Sequence, residues 1–102
     1  MDFYGVNGYL EAKEGKRDEL LSYLLEASSE MESIDTCYAY IVSTVPDNQN
    51  AVHVFEVWKD EASHKASLEL DIFRQLIIKA QPIISGMQDY PNLTIKGGKA
   101  NF

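Results

Sequence analysis

One cysteine, two histidines and three prolines are all that 102 residues contain of these types. The lone thiol, Cys37, excludes an internal disulfide, and so few cysteines and histidines leave no cluster at the spacing of a structural zinc site, so no metal and no cofactor are expected. Basic residues are scarce too: Lys plus Arg number 9 against 16 Asp plus Glu, a net charge of −7, and no basic cluster exceeds Lys16-Arg17. A chain of that sign is repelled by phosphate, which argues against nucleic acid and anionic membrane as partners. Long apolar runs are missing as well. Met1-Asp2-Phe3-Tyr4-Gly5 lacks the basic start and apolar stretch of a secretion signal, and no run reaches bilayer-spanning length, so a cytoplasmic location is expected.

What is present is an ordinary globular balance of 45% hydrophobic and 25% charged residues, which excludes disorder. Residues 1–102 form one domain, small enough that a partner is expected to help bury its apolar surface. Residues 3–12 alternate Val6, Leu10 and Ala12 with Phe3, Asn7, Tyr9 and Glu11, a first strand. After Gly15, Asp18 and Glu19 favour a helix start, and Leu20, Leu21, Leu24, Leu25, Ser28 and Met31 give it one apolar stripe. Thr36-Cys37-Tyr38-Ala39-Tyr40-Ile41-Val42-Ser43 is a second strand, with Tyr38 and Tyr40 expected to share a face. Pro46-Asp47-Asn48-Gln49-Asn50 predicts a several-residue loop into a third strand at 52–59. Asp60 caps a second helix that pauses near Leu70-Asp71 and resumes with Phe73, Leu76, Ile77 and Ala80 inward. Pro82 and Gly86 are expected to end it, and a last, edge strand lies within 87–97.

The order strand, helix, strand, strand, helix, strand matches an α+β, ferredoxin-like βαββαβ domain with a four-stranded antiparallel sheet, strands one and three central. Both helices cover one face. The other is also apolar, and a second copy is its simplest cover, which predicts a homodimer through the sheet faces.

The third strand carries the most informative pattern. Glu56 and Trp58 share one face of an otherwise apolar run, and His64 follows in the first turns of the next helix. A carboxylate placed there costs free energy unless a polar group meets it, so Glu56 is either a paired structural group or part of a site.

These residues resemble the antibiotic biosynthesis monooxygenase domain family, a dimeric α/β-barrel group that includes small quinol monooxygenases. The resemblance is carried by Ala12-Lys13-Glu14-Gly15-Lys16-Arg17-Asp18-Glu19-Leu20, by Cys37 with Tyr40, and by Glu56-Val57-Trp58-Lys59-Asp60-Glu61-Ala62. It implies oxygenation of a phenolic or quinol substrate by O2 without metal or flavin. Two departures stand out: many members carry a helical histidine where this chain has Ser67, and another where it has Ile72. Haem-degrading relatives pair a strand-one Asn and a strand-three Trp with an iron-binding helical His. Asn7 and Trp58 fit, but the position near Leu68 holds no imidazole, which disfavours haem.

Attack on O2 needs the phenolate, so a base must meet a phenolic pKa of about 10 inside an apolar pocket. The candidates are His64 and Glu56 as base, Asn7 to orient the substrate oxygen, and Trp58, Tyr9, Leu68 and Ile72 to contact the ring. Each has a plain structural alternative: a core Trp58, a solvated His64, a cross-strand Asn7. A non-catalytic dimer that binds a small apolar molecule, or serves as a stress module, stays open beside the enzyme.

Overall fold

The alternation of residues 3–12 builds β1 (Phe3–Ala12) in the computed structural model, which describes residues 2–100. Gly15 at φ 78° occupies the left-handed region open to glycine and turns the chain into α1 (Arg17–Glu30). Leu20, Leu24, Ala27 and Met31 are buried along one side of that helix and its 3-10 extension, at the expected helical spacing. Leu25 lies one residue around the cylinder from Leu24 and is 48% exposed.

β2 (Cys37–Val45) and β3 (Asn48–Trp58) form the expected hairpin, but its turn is only Pro46-Asp47. The polar residues expected in a wider loop join the strand instead. The Asn48 side chain accepts the Asn50 N–H at 3.1 Å and donates to the Glu11 carboxylate at 3.2 Å.

Asp60 opens α2 (Glu61–Ser67) by accepting the Ser63 N–H at 2.8 Å. The pause at 68–70 separates it from α3 (Asp71–Ala80). Gly86 does not stop this helix. Pro82, which lacks an N–H, sits in a 3-10 turn directly after Ala80, and β4 (Ile84–Asp89) begins at once, with Gly86 inside it. The single last strand expected at 87–97 is therefore two segments. Pro91 separates β4 from β5 (Leu93–Ile95), and both pair with β1.

The antiparallel sheet runs β2-β3-β1-β4, with β5 beside β1, so β1 and β3 are central in an α+β, ferredoxin-like domain. On the helix side, Leu10, Ala12 and Val52 pack on Leu20, Leu24, Ala80 and Ile83, while Trp58 packs with Met31 and Phe73. Phe73 and Ala80 are inward as expected, whereas Ile77 is 57% exposed, at the mouth of a cleft described below. Among the described residues no helix is long and apolar enough to cross a membrane.

A bulge at Cys37–Ala39 resets the alternation of β2. Tyr38 consequently lies edge-on to Phe3 on the helix-free face, ring centroids 4.8 Å apart, while Tyr40 pairs with Glu56. The two tyrosines do not share a face. Gly8 holds β1 and β4 in close pairing, because a Cβ there would stand 2.7 Å from the Gln88 carbonyl oxygen. Gly8→Ala is expected to cost about 1–3 kcal/mol in chemical denaturation, as overpacking does. Gly86→Ala, whose Cβ meets nothing within 4 Å, is the control and should stay within about 0.5 kcal/mol of the parent.

Candidate functional site

Glu56 lies on β3 opposite Val6 and Tyr40, on the helix side of the sheet. Two residues on, Trp58 projects from the same face, and its indole Nε1–H donates to Glu56 Oε1 at 2.9 Å. The capped start of α2, directly after that strand, brings in the third member. His64 Nε2 stands 3.8 Å from the same carboxylate oxygen, its ring 5.8 Å from the Trp58 ring and 5.7 Å from Tyr4. The strand-to-helix corner thus joins the carboxylate, indole and imidazole that the sequence placed close together.

Burial pushes the Glu56 carboxyl above its ordinary range, and the indole hydrogen bond only partly offsets it. Burial pushes the His64 imidazole below its ordinary value, against the opposing charge of Glu61. Both groups are driven toward their uncharged forms.

On its other side Glu56 faces a chamber of about 210 Å³ between the sheet and α3, bounded by Gly8, Tyr40, Leu68, Phe73 and Leu76. No buried polar side-chain atom among the described residues lacks a partner. Glu56 Oε2 and the Tyr40 hydroxyl make no hydrogen bond among the described residues, and both residues line this chamber. Burial, then the nearby Glu56 charge, raises the Tyr40 pKa far above its usual value, which keeps the phenol protonated as a hydrogen-bond donor. A second chamber of about 630 Å³ lies further along α3. Leu10, Leu24, Leu76 and Ile77 belong to the walls of both.

The structure separates several residues that the sequence grouped. Leu68 is in the chamber wall. Trp58 is fully buried, behind Glu56 rather than in the wall, and His64 is likewise on the far side of the carboxylate. Asn7 and Tyr9 border the chamber as part of β1, but Asn7 pairs with Phe55 and Tyr9 with His53. Strand alternation therefore sends both side chains to the helix-free face, where Tyr9 stacks on His53 at 5.3 Å. Ile72 packs against the cluster of Met31, Trp58 and Phe73 and faces the groove between α1 and α3. Tyr40 and Phe73 belong to the site and were not among the expected contacts. Tyr40 was hidden by the bulge, which no simple period of two reveals. Cys37 fits an inert thiol: burial, then Glu56, pushes its pKa up to about 11.

If the indole N–H holds the Glu56 pKa down, Trp58→Phe should raise it. The Glu56 titration, followed by NMR of its carboxyl carbon, is then expected to move to higher pH, with about 1–2 kcal/mol of stability lost with the hydrogen bond. An unmoved titration would show that the indole does not tune the carboxyl.

A family model described as "Antibiotic biosynthesis monooxygenase" matches residues 3–77, which contain Tyr40, Glu56, Trp58, His64 and Phe73. The chain belongs to the antibiotic biosynthesis monooxygenase family. Among solved structures, a candidate antibiotic biosynthesis monooxygenase from Chloroflexus aurantiacus J-10-fl is 33% identical. It superposes with a TM-score of 0.87 over 96% of this chain and 97% of that one. A Caulobacter crescentus CB15 structure given the same description has a TM-score of 0.80 at 15% identity, covering 96% of this chain and 92% of that one. A Nitrosomonas europaea protein of unknown function reaches 0.81 at 21%, covering 100% and 97%. The last two are similar in fold alone. A search of curated proteins finds no match.

One position marks this antibiotic biosynthesis monooxygenase family member off. Ser67, where the resemblance led one to look for a histidine, is buried, with its hydroxyl on the His64 carbonyl at 2.6 Å. The polar function inside the near chamber falls to Glu56 and Tyr40 instead.

Proposed function

We propose that the protein is a monooxygenase that oxidises a phenolic or quinol-like ring with O2, using the substrate's own electrons rather than a metal or flavin. The observation that carries this reading is a half-buried carboxylate opening into a mainly apolar chamber, with its pKa raised by burial and the Tyr40 phenol beside it on the next strand. Glu56 takes the phenolic proton. The phenolate, held by Tyr40, passes one electron to O2, and the resulting radical pair joins at a ring carbon bearing hydrogen. Glu56 returns its proton to the peroxide. Loss of that carbon's hydrogen with cleavage of the O–O bond then gives quinone and water, so one oxygen atom enters the product and the other leaves as water. Apolar walls keep bulk water from the intermediate. His64 and Trp58 are positioning residues in this scheme: they hold Glu56 from behind and do not touch the ring.

The working unit we propose is a cytoplasmic homodimer closed through the helix-free sheet faces. The rival is a non-catalytic binding module of the same fold, favoured by the placement of Trp58 and His64 behind Glu56 and of the Asn7 side chain on the helix-free face. Oxygen uptake by chelator-treated, flavin-free protein with a panel of phenols and quinols decides between them. One O2 consumed per phenol converted to quinone supports the oxygenase. Binding without uptake for every member of the panel supports the module.

A further inference from the structure

We propose, relying on the oxygenase reading only for which end receives the phenol, that the substrate is a single-ring phenol or quinol with a long aliphatic tail. The ring occupies the near chamber, and the tail runs beneath α3 into the larger one. The near chamber, about 210 Å³, falls below the roughly 300–1,000 Å³ usual for small-molecule sites, whereas the neighbouring chamber supplies a further 630 Å³ or so. One ring fills the first. Leu10, Leu24, Leu76 and Ile77 line both, so the two chambers are neighbours beneath α3, and the proposed tail passes from one to the other.

Polarity divides between the two chambers. The carboxylates, Glu56 and Asp89, line only the near chamber. In the far one the polar side chains are Gln81 and Ser85, and the Ser85 hydroxyl is already directed at the main-chain oxygens of Glu11 and Ala12, at 3.3 and 3.4 Å. Its other side chains are aliphatic or Met, with no aromatic ring. Such walls suit a flexible hydrocarbon better than a second flat ring, which would gain from stacking.

The dimension fits as well. Glu56 pairs with Val6, and Ile84 with Ala12. Six residues of strand at about 3.3 Å each put the two ends roughly 20 Å apart, far more than one ring spans. Ile84 and Met87, from β4, line the far chamber.

The test is anaerobic titration with phenol, 4-ethylphenol, 4-hexylphenol and 4-decylphenol, followed by the fluorescence of Trp58, the only tryptophan. Each added methylene is expected to tighten binding by about fourfold until the far chamber is filled. Ile84→Phe should abolish the gain from hexyl to decyl while leaving phenol affinity unchanged. Met87→Phe, at a position 66% exposed where folding tolerates change, should do the same. Affinity independent of tail length, or a decyl gain intact in the folded variants, would overturn the proposal. Binding is read without O2, so failure of oxygenation leaves this result standing, and oxidation of tailless phenols with no tail dependence leaves the oxygenase standing without it.

Discussion

Glu56→Gln is expected to lower kcat for phenol oxygenation by about 100- to 10,000-fold, the contribution of a positioned general base, and to raise Tm at pH 8. The two effects share one cause. The Glu56 carboxyl is raised from its ordinary 4.5 because burial disfavours the anion. A carboxyl with a higher pKa folded than unfolded binds its proton more tightly in the folded state. Its favourable contribution is complete below about 4.5 and is lost as pH rises through the folded value. At pH 8 the native protein carries the whole cost of a buried anion. Gln cannot ionise, yet its amide oxygen still accepts the Trp58 N–H, so the variant keeps the hydrogen bond and sheds the cost. Its Tm advantage should shrink as pH falls and vanish below about pH 4.5. His64 works in the other direction. Its lowered pKa gives stability that is complete above 6.5 and lost as pH falls through the folded value, but it does so in both proteins. Oxygen uptake and calorimetry across pH 4–9 check the pair. Full activity in the variant removes Glu56 as the base, and a Tm lower at pH 8 shows that the anion is paired more favourably than its surroundings indicate.

Such a gain in stability on losing function is what a site residue in an apolar strand should show, and the same cost makes Glu56 conspicuous in the sequence. A charge that breaks a hydrophobic run is visible to sequence reasoning because the strand period assigns it to the inner face. Element order, the central place of β1 and β3 and the Asp60 cap were legible for the same reason: each rests on a local period or a single capping residue. The cavity was less so. Asn7 was grouped with Trp58 by the resemblance to haem-degrading relatives, although the strand register puts them on opposite faces. Tyr40 was paired with Tyr38 by an unbroken period, which the bulge at Cys37–Ala39 interrupts. Bulges and chamber walls depend on how strands meet across the sheet, and a linear pattern does not carry that.

Phe55→Lys is expected to convert a dimer to a monomer. Phe55 lies at the middle of the helix-free face, between Ile41 on β2 and Asn7 on β1, and Phe3, Tyr38 and Val57 extend the same apolar surface. Despite a net charge of −7, the inner strands put few charges there: Glu11, which is bonded to Asn48, and His53, which is stacked on Tyr9. Charge has been kept off the one large face that no helix covers, the compositional mark of an interface core. The Asn7 amide makes no side-chain hydrogen bond among the described residues, and a partner sheet laid on this face would be able to supply one. In the proposed two-fold pairing each central strand would face its copy, so a lysine at position 55 would enter the buried centre from both sides. Truncating or charging such a central anchor costs at least about 2 kcal/mol, or some 30-fold in the dimer dissociation constant. Light scattering after size exclusion at micromolar concentration should report a dimer for the native chain and a monomer for the variant. Circular dichroism should be unchanged, because Phe55 is on the helix-free face and supports none of the three helices. A native monomer with this face in water would remove the dimer. A variant that remains dimeric would move the interface to another surface.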